Sequence, residues 1–353
     1  MSTIVKDSTT RLKDGQNLTE ANMMESMQAI MDGEVKESDL KEFLLALSAK
    51  GESVAEITGA ARILRKKAET IKAPLDSVDC CGTGGDKSGT YNISTAVGIV
   101  AAACGVPIAK HGNRAATSKS GAADVLEALG VNIDLPRFAL EHALKEFRFA
   151  FLMAPNHHQS MRHVAAVRKE IGERTIFNLL GPLANPAGTR RQLLGVYDEK
   201  WVMPVAETLK KLGTKRAWVV HGTDGLDEIS ISAPTKIAIL EEDVAIKEQT
   251  ITPDDFGLKT HNLADIKGGD AQQNAMALRA VLQGERGAYR DIILANTAAV
   301  LMVHQSCSTL KDGVTKAKDA IDSGFAWDNF RDYIAYSRVA EDNAKDAIEK
   351  NNG

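Results

Sequence analysis

The chain is 353 residues long, which exceeds one ordinary hydrophobic core and therefore predicts two domains. Its apolar fraction of 44% and charged fraction of 25% are typical of a globular protein in water. A formal net charge of −4 excludes the general basic excess of a nucleic-acid or anionic-membrane surface, so an anionic ligand would need a local cluster of positive charge.

The first 73 residues are predicted to contain helices only. Thr19 and Ser53 are placed to cap two of these helices, and Ser38 to cap the helix between them, which Gly51 should end. Apolar side chains recur at helical spacing in each segment, so we expect one face of each helix to be buried. Pro74 closes this region.

From residue 74 onward, short apolar runs alternate with helical patterns. The strand candidates are LDSVDCC, VPIAK, FRFAFLMAP, RQLLGVYD and RAWVVHG, and from about residue 270 the pattern is helical again. Alternating strands and helices predict a mainly parallel sheet covered on both faces. Such sheets bind ligands at the carboxyl ends of their strands.

The four cysteines are Cys80, Cys81, Cys104 and Cys307, and none of them forms a CxxC pair. Adjacent Cys80 and Cys81 are poorly spaced for zinc, so buried thiols in a reducing compartment are expected. The N-terminal segment lacks an apolar core of signal-peptide length, and no stretch is apolar enough to span a bilayer. The sequence therefore predicts a cytoplasmic protein.

A glycine-rich segment, CGTGGD, follows the first strand candidate. It is neither a P-loop nor the dinucleotide fingerprint. Gly82, Gly84 and Gly85 let the backbone approach a ligand closely, and Ser94 and Thr95 begin the next helix, whose N-terminus favours phosphate. A tight turn with a purely structural role is the alternative.

The second such segment, KHGNRAATSKSGAAD, carries Lys110, His111, Arg114 and Lys119 with no acid before Asp124. This pattern predicts a concentrated positive patch, and a solvated basic loop is the alternative. Because both segments follow a strand and open a helix, together they indicate one shared site for a polyanion.

Adjacent acids, Asp227 and Glu228, occur in a glycine-containing turn after the fifth strand candidate. Carboxylates are hard oxygen ligands, which Mg²⁺ prefers, and Mg²⁺ commonly bridges carboxylates and phosphates. An acidic surface turn is the alternative.

Residues 154–186 carry His157, His158 and Arg168. The two histidines lack the HExxH spacing of a zinc site. Arg168 shares a helix face with Met161 and Val164, where a planar guanidinium beside apolar side chains would suit an aromatic carboxylate. The segment GPLANP is a candidate hinge.

Together, the segments DCCGTGGDKSGTYNIST, KHGNRAATSKSGAADVLEALG, RHVAAVRKEIGERTIFNLLGPLANP and VVHGTDGLDEIS resemble the anthranilate phosphoribosyltransferases over almost the whole chain. The glycine motifs alone are shared with pyrimidine nucleoside phosphorylases, but KHGNR combined with RTIFNLLGPLANP is more specific. The resemblance implies an α/β fold of the nucleoside phosphorylase/phosphoribosyltransferase type. A small all-helical domain, 1–73, would be rejoined by about 170–190, and a large α/β domain, 74–353, would contain a mainly parallel central sheet. Dimerisation through the helical domain is also implied.

The implied reaction is the second step of tryptophan biosynthesis from chorismate, in which 5-phosphoribosyl-1-pyrophosphate and anthranilate give N-(5-phosphoribosyl)anthranilate and pyrophosphate. The resemblance assigns phosphoribosyl pyrophosphate to Gly82, Gly85, Asp86, Thr90, Asn92, Ser94, Thr95, Lys110, His111, Gly112, Asn113, Arg114, Ala115, Ala116, Thr117, Ser118 and Ala122. It assigns two Mg²⁺ ions to Ser94, Asp227 and Glu228, and anthranilate to Gly82, Asn113 and Arg168. The chain departs from the family pattern KSGSAD at Ala122, which replaces a hydroxyl residue.

An aromatic amine is unprotonated at neutral pH, so the implied reaction requires no strong general base, and none is predicted. Lys110 and Lys119 would instead neutralise charge on the departing pyrophosphate. The enzymatic alternative is a pyrimidine nucleoside phosphorylase, against which the Arg168 segment argues. A non-catalytic nucleic-acid-binding relative is the other alternative, and it should be more basic and lack the paired acids.

Overall fold

The computed structural model describes residues 3–86, 88–115 and 119–352, with residues 341–352 as backbone only. The helices are α1 (Thr3–Lys13), α2 (Glu20–Met31), α3 (Glu37–Lys50), α4 (Val54–Lys67), α5 (Ile93–Ala103), α6 (Ala122–Leu129), α7 (Arg137–Glu146), α8 (Ala154–His157), α9 (Arg162–Ile171), α10 (Phe177–Leu183), α11 (Val202–Lys211), α12 (Ala271–Leu282), α13 (Ala288–His304), α14 (Leu310–Asp322) and α15 (Phe325–Asn352). The strands are β1 (Val78–Gly82), β2 (Ile108–Gly112), β3 (Phe149–Met153), β4 (Arg191–Gly195), β5 (Arg216–Gly222), β6 (Thr235–Glu241) and β7 (Lys247–Ile251).

The N-terminal helices begin largely where side-chain caps were predicted. Thr19 accepts a hydrogen bond from the Asn22 N–H, and Ser53 forms a reciprocal capping box with Glu56. The prediction for Ser38 is wrong, because α3 already begins at Glu37 and Ser38 lies inside its first turn. Gly51 ends α3 as predicted, with φ +88°.

The sheet is mainly parallel, as predicted, and has the order β3-β2-β1-β4-β5-β6-β7. The five predicted strands form its parallel part, while β6 and β7, which were not predicted, extend it antiparallel. The chain runs outward from β1 through β2 to β3 and then returns to the other side of β1 as β4. The carboxyl ends of β1 and β4 therefore flank a topological switch point, where α/β sheets bind ligands.

Each face of the sheet packs into its own hydrophobic cluster, because side chains alternate along a strand. Trp218 and Val220 of β5 belong to the cluster with α5 and α13, whereas Val219 belongs to the cluster that also contains α1–α4 and residues of α9 and α10. The helical bundle therefore shares its core with one face of the sheet, and the domain division at residues 73 and 74 stays a prediction. Within the described residues, no helix is both long and apolar enough to cross a membrane.

Candidate active site

The glycine turn, residues 83–86, follows β1 and contacts the loop of the two predicted acids. The Gly84 N–H donates to Asp227 Oδ2 at 2.7 Å, across 143 residues of sequence. Gly84 and Gly85 have φ values of +67° and +75°, a region that favours glycine. A Cβ on Gly82 would lie 2.4 Å from Asp227 Oδ2, so glycine there allows the carboxylate to reach the strand end.

Asp227 also packs closely against a second glycine, on the neighbouring strand, that was not predicted from the sequence. Gly195 ends β4 directly opposite Gly82 of β1. A Cβ at Gly195 would lie 1.6 Å from the backbone oxygen of Asp227. The acidic loop therefore packs onto the switch point itself, and its position depends on two strand-terminal glycines.

The predicted hydroxyl and amide residues lead from the glycine turn into α5. Thr90 forms an isolated antiparallel bridge with Lys267, and Asn92 Oδ1 accepts from Asn274 Nδ2 at 2.9 Å. Ser94 and Thr95 lie in the first turn of α5, where free backbone N–H groups attract anions. Lys267 precedes α12 and Asn274 lies in its first turn, so only the tertiary structure brings these residues beside the start of α5.

Lys110 is buried, with 2% of its surface accessible. Its Nζ donates to the Cys80 carbonyl at 2.7 Å and to Ser94 Oγ at 3.0 Å. The ammonium group therefore lies beneath the start of α5, where it fixes the Ser94 hydroxyl. Its charge also opposes the raised pKa of Glu228.

Asp227 and Glu228 occupy an environment that disfavours their ionised forms. Burial, and secondly the charge of Asp86, raises the pKa of Asp227 to about 7. Burial, and secondly the charge of Asp227, raises the pKa of Glu228 well above its usual range, while the Ser94 backbone N–H opposes this shift. The carboxylates of Asp86, Asp227 and Glu228 thus converge, and a bound cation would stabilise their ionised forms.

These residues fit magnesium bound together with phosphate. No group of three or more His, Cys, Asp or Glu side chains that could hold a metal by itself occurs in the described part of the chain. Mg²⁺ needs no such cage, because one or two carboxylates, substrate phosphates and waters usually complete its octahedron. Asp227, Glu228 and the hydroxyl of Ser94 provide suitable hard oxygen atoms.

The predicted positive patch after β2 is weaker in the structure than in the sequence. The Arg114 guanidinium forms ion pairs with Glu127 and, at 3.3 Å, with Asp124. Asp124 is the last residue of the segment and Glu127 follows it, and α6 brings both acids back beside Arg114. With Lys110 buried, Lys119 is the exposed lysine of the segment.

The remaining predicted residues of this segment shape its backbone. Gly112 ends β2, where a Cβ would lie 2.6 Å from the Phe151 ring. The Asn113 carbonyl accepts from the Ala123 N–H, and Asp124 accepts from the Ala115 N–H at 3.0 Å. Ala122 is the first residue of α6. The predictions for Ala116, Thr117 and Ser118 lie outside the described residues.

Arg168 and His111 both contact α10, although they come from different elements. The Arg168 guanidinium lies 5.3 Å from the Phe177 ring centroid, and His111 Nδ1 lies 3.1 Å from the Gly181 carbonyl oxygen. Phe177 and Gly181 are four residues apart on α10 and therefore share one face of this helix. Arg168 is half-buried, and this burial lowers its pKa.

His158 is a further residue beside the candidate anthranilate site, although the spacing of His157 and His158 in the sequence does not fit a zinc site. Its ring centroid lies 5.2 Å from that of His111, and both rings are buried. Burial lowers the pKa of His111 to about 3 and that of His158 to about 4, so both rings are neutral at physiological pH. The Nε2 atom of each ring lacks a hydrogen-bond partner among the described residues. Two buried neutral imidazoles therefore border the segment that carries Arg168.

Comparison with known proteins identifies the family of this fold and site. Residues 75–327 match the family described as "Glycosyl transferase family, a/b domain", and residues 6–68 match "Glycosyl transferase family, helical bundle domain". The anthranilate phosphoribosyltransferase of Paramagnetospirillum magneticum is 54% identical over 324 residues, which cover 92% of this chain and 93% of that protein. The enzyme of the same name from Azospirillum brasilense is 54% identical over 313 residues, covering 88% of this chain and 87% of that protein.

Solved structures agree with these relatives. The crystal structure of anthranilate phosphoribosyltransferase from Thermus thermophilus superposes with a TM-score of 0.88 at 40% identity, covering 94% of this chain and 99% of that one. The enzyme from Saccharomyces cerevisiae in complex with PRPP and Mg superposes with a TM-score of 0.87 at 28% identity, covering 96% and 99%. The chain therefore belongs to the anthranilate phosphoribosyltransferase family.

Proposed function

We propose that this chain transfers the 5-phosphoribosyl group of phosphoribosyl pyrophosphate to the amine of anthranilate at the cleft above the carboxyl ends of β1, β2, β4 and β5. The observation that carries the proposal is the hydrogen bond from the Gly84 N–H to Asp227, which joins the glycine turn to the acidic loop. A ligand with phosphates at both ends of a sugar would touch the turn, the start of α5 and this loop together.

The phosphoribosyl pyrophosphate site is proposed to comprise the residues that the family resemblance assigned in the two segments after β1 and β2. The placement of Thr90, Asn92, Ser94 and Thr95 at the start of α5 supports this assignment. Ser94 is the best supported of them, because Lys110 fixes its hydroxyl beside Glu228. Arg114 is less well supported, since its guanidinium is already ion-paired with α6.

Two magnesium ions are proposed to accompany the pyrophosphate, held by Asp227, Glu228 and Ser94. The bound PRPP and Mg of the yeast relative support the use of magnesium, and the raised pKa values of Asp227 and Glu228 support this location. When bound, magnesium would neutralise charge on the pyrophosphate.

Anthranilate is proposed to bind Gly82, Asn113 and Arg168. The half-buried Arg168 guanidinium beside Phe177 offers a cation and an apolar surface to an aromatic carboxylate. The yeast relative in complex with 4-fluoroanthranilate supports a site for this class of ligand. The neutral rings of His111 and His158 would not repel or protonate an aromatic amine.

Catalysis in this arrangement rests on alignment and on stabilising the leaving group. The aromatic amine is already a free base, so no residue is assigned as its general base. Lys110 orients Ser94, and exposed Lys119 would meet the pyrophosphate, whose charge grows as the glycosidic bond breaks. Exclusion of water by the surrounding turns would protect the cationic ribose that forms.

We also propose a homodimer formed through the helical domain, residues 1–73, and a cytoplasmic location. The four cysteines are all free thiols, which agrees with a reducing compartment.

The test is the loss of anthranilate fluorescence, followed with and without phosphoribosyl pyrophosphate and Mg²⁺. We expect consumption only when both are present. Phosphorolysis of pyrimidine nucleosides is measured alongside, as the enzymatic alternative. Nucleoside phosphorolysis without anthranilate consumption would overturn the proposal.

A further inference from the structure

Arg174 contacts both the glycine turn and helix α3, although it belongs to no motif identified in the sequence. It lies in the segment 172–176 that joins α9 to α10. Its guanidinium donates to the Gly85 carbonyl of the glycine turn. Its own carbonyl accepts from Ser48 Oγ of α3 at 3.3 Å. One residue thus connects the glycine turn with the helical bundle.

The guanidinium lies over the ring of Tyr197, which is itself fixed by hydrogen bonds. It lies 4.0 Å from the centroid of Tyr197, within the range of a cation–π contact. The Tyr197 N–H donates to Thr83 Oγ1 at 3.0 Å, and its hydroxyl accepts from Trp201 Nε1 at 2.9 Å. The residue whose ring contacts Arg174 is therefore hydrogen-bonded to Thr83, the first residue of the same turn.

Fixing the Gly85 carbonyl also fixes the next N–H of the turn. In a planar trans peptide, C=O and N–H point in opposite directions, so the Asp86 N–H points away from Arg174. Among the described residues, the N–H groups of Gly85 and Asp86 have no acceptor. Asp227 accepts from the Gly84 N–H and Arg174 donates to the Gly85 carbonyl, so the middle of the turn is held from both sides, and the N–H groups of Gly85 and Asp86 are left for an anion.

We propose that Arg174 is a positioning residue that couples the anion-binding geometry of the glycine turn to the docking of the helical bundle. The coupling rests on the proposed function, because it is expressed as affinity for phosphoribosyl pyrophosphate. When segment 172–176 lies against α3 and Tyr197, Arg174 holds the glycine turn in the conformation that binds the ligand. When that segment moves away, the turn loses this hydrogen bond and its fixed conformation.

An arginine suits this role better than a lysine. A lysine could donate to the Gly85 carbonyl, but it lacks the plane that stacks on Tyr197. The Arg174 side chain is also largely exposed, so its contribution to overall stability is small. Its removal should therefore alter ligand binding without unfolding the protein.

The experiment compares Arg174→Ala, Arg174→Lys and a matched control, Arg162→Ala, which removes an exposed arginine from the start of α9. Binding of phosphoribosyl pyrophosphate with Mg²⁺ is measured by calorimetry without anthranilate, and the KM of each substrate, kcat and Tm are measured separately. Hydrogen exchange of the Thr83 and Gly84 amides reports the order of the turn directly.

We expect Arg174→Ala to weaken phosphoribosyl pyrophosphate binding about tenfold, the effect of one charge-assisted hydrogen bond with an exposed cation–π contact. The KM for anthranilate and the Tm should stay unchanged, the two amides should exchange faster, and Arg174→Lys should restore part of the affinity. Tyr197→Leu should add little to Arg174→Ala, because both remove the same support. Arg162→Ala should behave as the unmodified protein.

Unchanged binding and unchanged amide exchange in Arg174→Ala would overturn the inference. So would an equal rise of both KM values with a lowered Tm, since that pattern indicates a merely structural role. If the unmodified protein fails to bind phosphoribosyl pyrophosphate, the proposed function fails, and the exchange of the two amides still decides whether Arg174 orders the turn.

Discussion

Gly195→Ala tests whether the position of the acidic loop controls catalysis. The added Cβ would lie 1.6 Å from the Asp227 backbone oxygen, whereas an ordinary contact begins at 3.4 Å. The strand end or the loop must therefore shift by about 1.8 Å, because a backbone atom cannot rotate away. Misplacement by roughly 1 Å can cost about 10²-fold in rate, so we expect kcat/KM for phosphoribosyl pyrophosphate to fall by at least about 10²-fold.

The assay is steady-state anthranilate consumption across a Mg²⁺ titration, with Tm and circular dichroism to confirm folding. Gly82→Ala should have a smaller effect, because its Cβ meets the Asp227 carboxylate, a side-chain group that can rotate away. Gly313→Ala is the matched control, since its Cβ would lie 2.8 Å from Ala298 between α13 and α14. That variant should lower Tm but leave the Mg²⁺ requirement unchanged.

Two results would refute this reasoning. Gly195→Ala could retain the kcat/KM and the Mg²⁺ dependence of the unmodified protein, which would mean that the loop position is unimportant. Alternatively, Gly313→Ala could lose as much activity as Gly195→Ala, which would trace the effect to general destabilisation.

The other predictions concern the acids, the anthranilate site and the buried histidines. Asp227→Ala combined with Glu228→Ala should lower kcat roughly 10²–10³-fold and abolish the ordinary Mg²⁺ dependence, and full activity at limiting Mg²⁺ would contradict the metal site. Arg168→Ala should mainly raise the KM for anthranilate, about tenfold, with little change in the KM for phosphoribosyl pyrophosphate, since the ion pair with the carboxylate is lost. We expect the free energy of unfolding to fall as the pH falls below 6.5. Burial lowers the pKa of His111 to about 3 and that of His158 to about 4, so in this pH range the unfolded chain binds more protons than the folded protein. Thermal melts of His158→Phe should show a smaller loss of Tm between pH 6.5 and 4 than the unmodified protein, and an equal loss would contradict this assignment.

Much of the fold was readable from local sequence because it depends on local physics. The caps at Thr19 and Ser53 and the stop at Gly51 follow from backbone groups within one helical turn. The five parallel strands are short apolar runs bounded by turns, which is the pattern of strands buried on both faces. Strand β7 was missed because it is an edge strand whose residues are mostly exposed and polar, whereas β6 carries an apolar, mostly buried run that was overlooked in the sequence.

The candidate site was only partly readable. The glycine turn, the start of α5 and the paired acids could be found because each is a short motif with its own chemistry. Gly195, Lys267, Asn274 and Arg174 carried no such signal, since their role arises from a partner far away in sequence. The charge of the second segment was overestimated because sequence order does not show that α6 folds Asp124 and Glu127 back onto Arg114.

The sequence by itself determined which turns can bind an anion, because φ angles, missing Cβ atoms and helix ends are properties of a few adjacent residues. Only the tertiary structure decided that these turns meet. The switch in strand order at β1 places Gly82 beside Gly195, and the loop after β5 then reaches Gly84 through Asp227. Such a contact depends on the packing of the whole sheet, which no local pattern encodes.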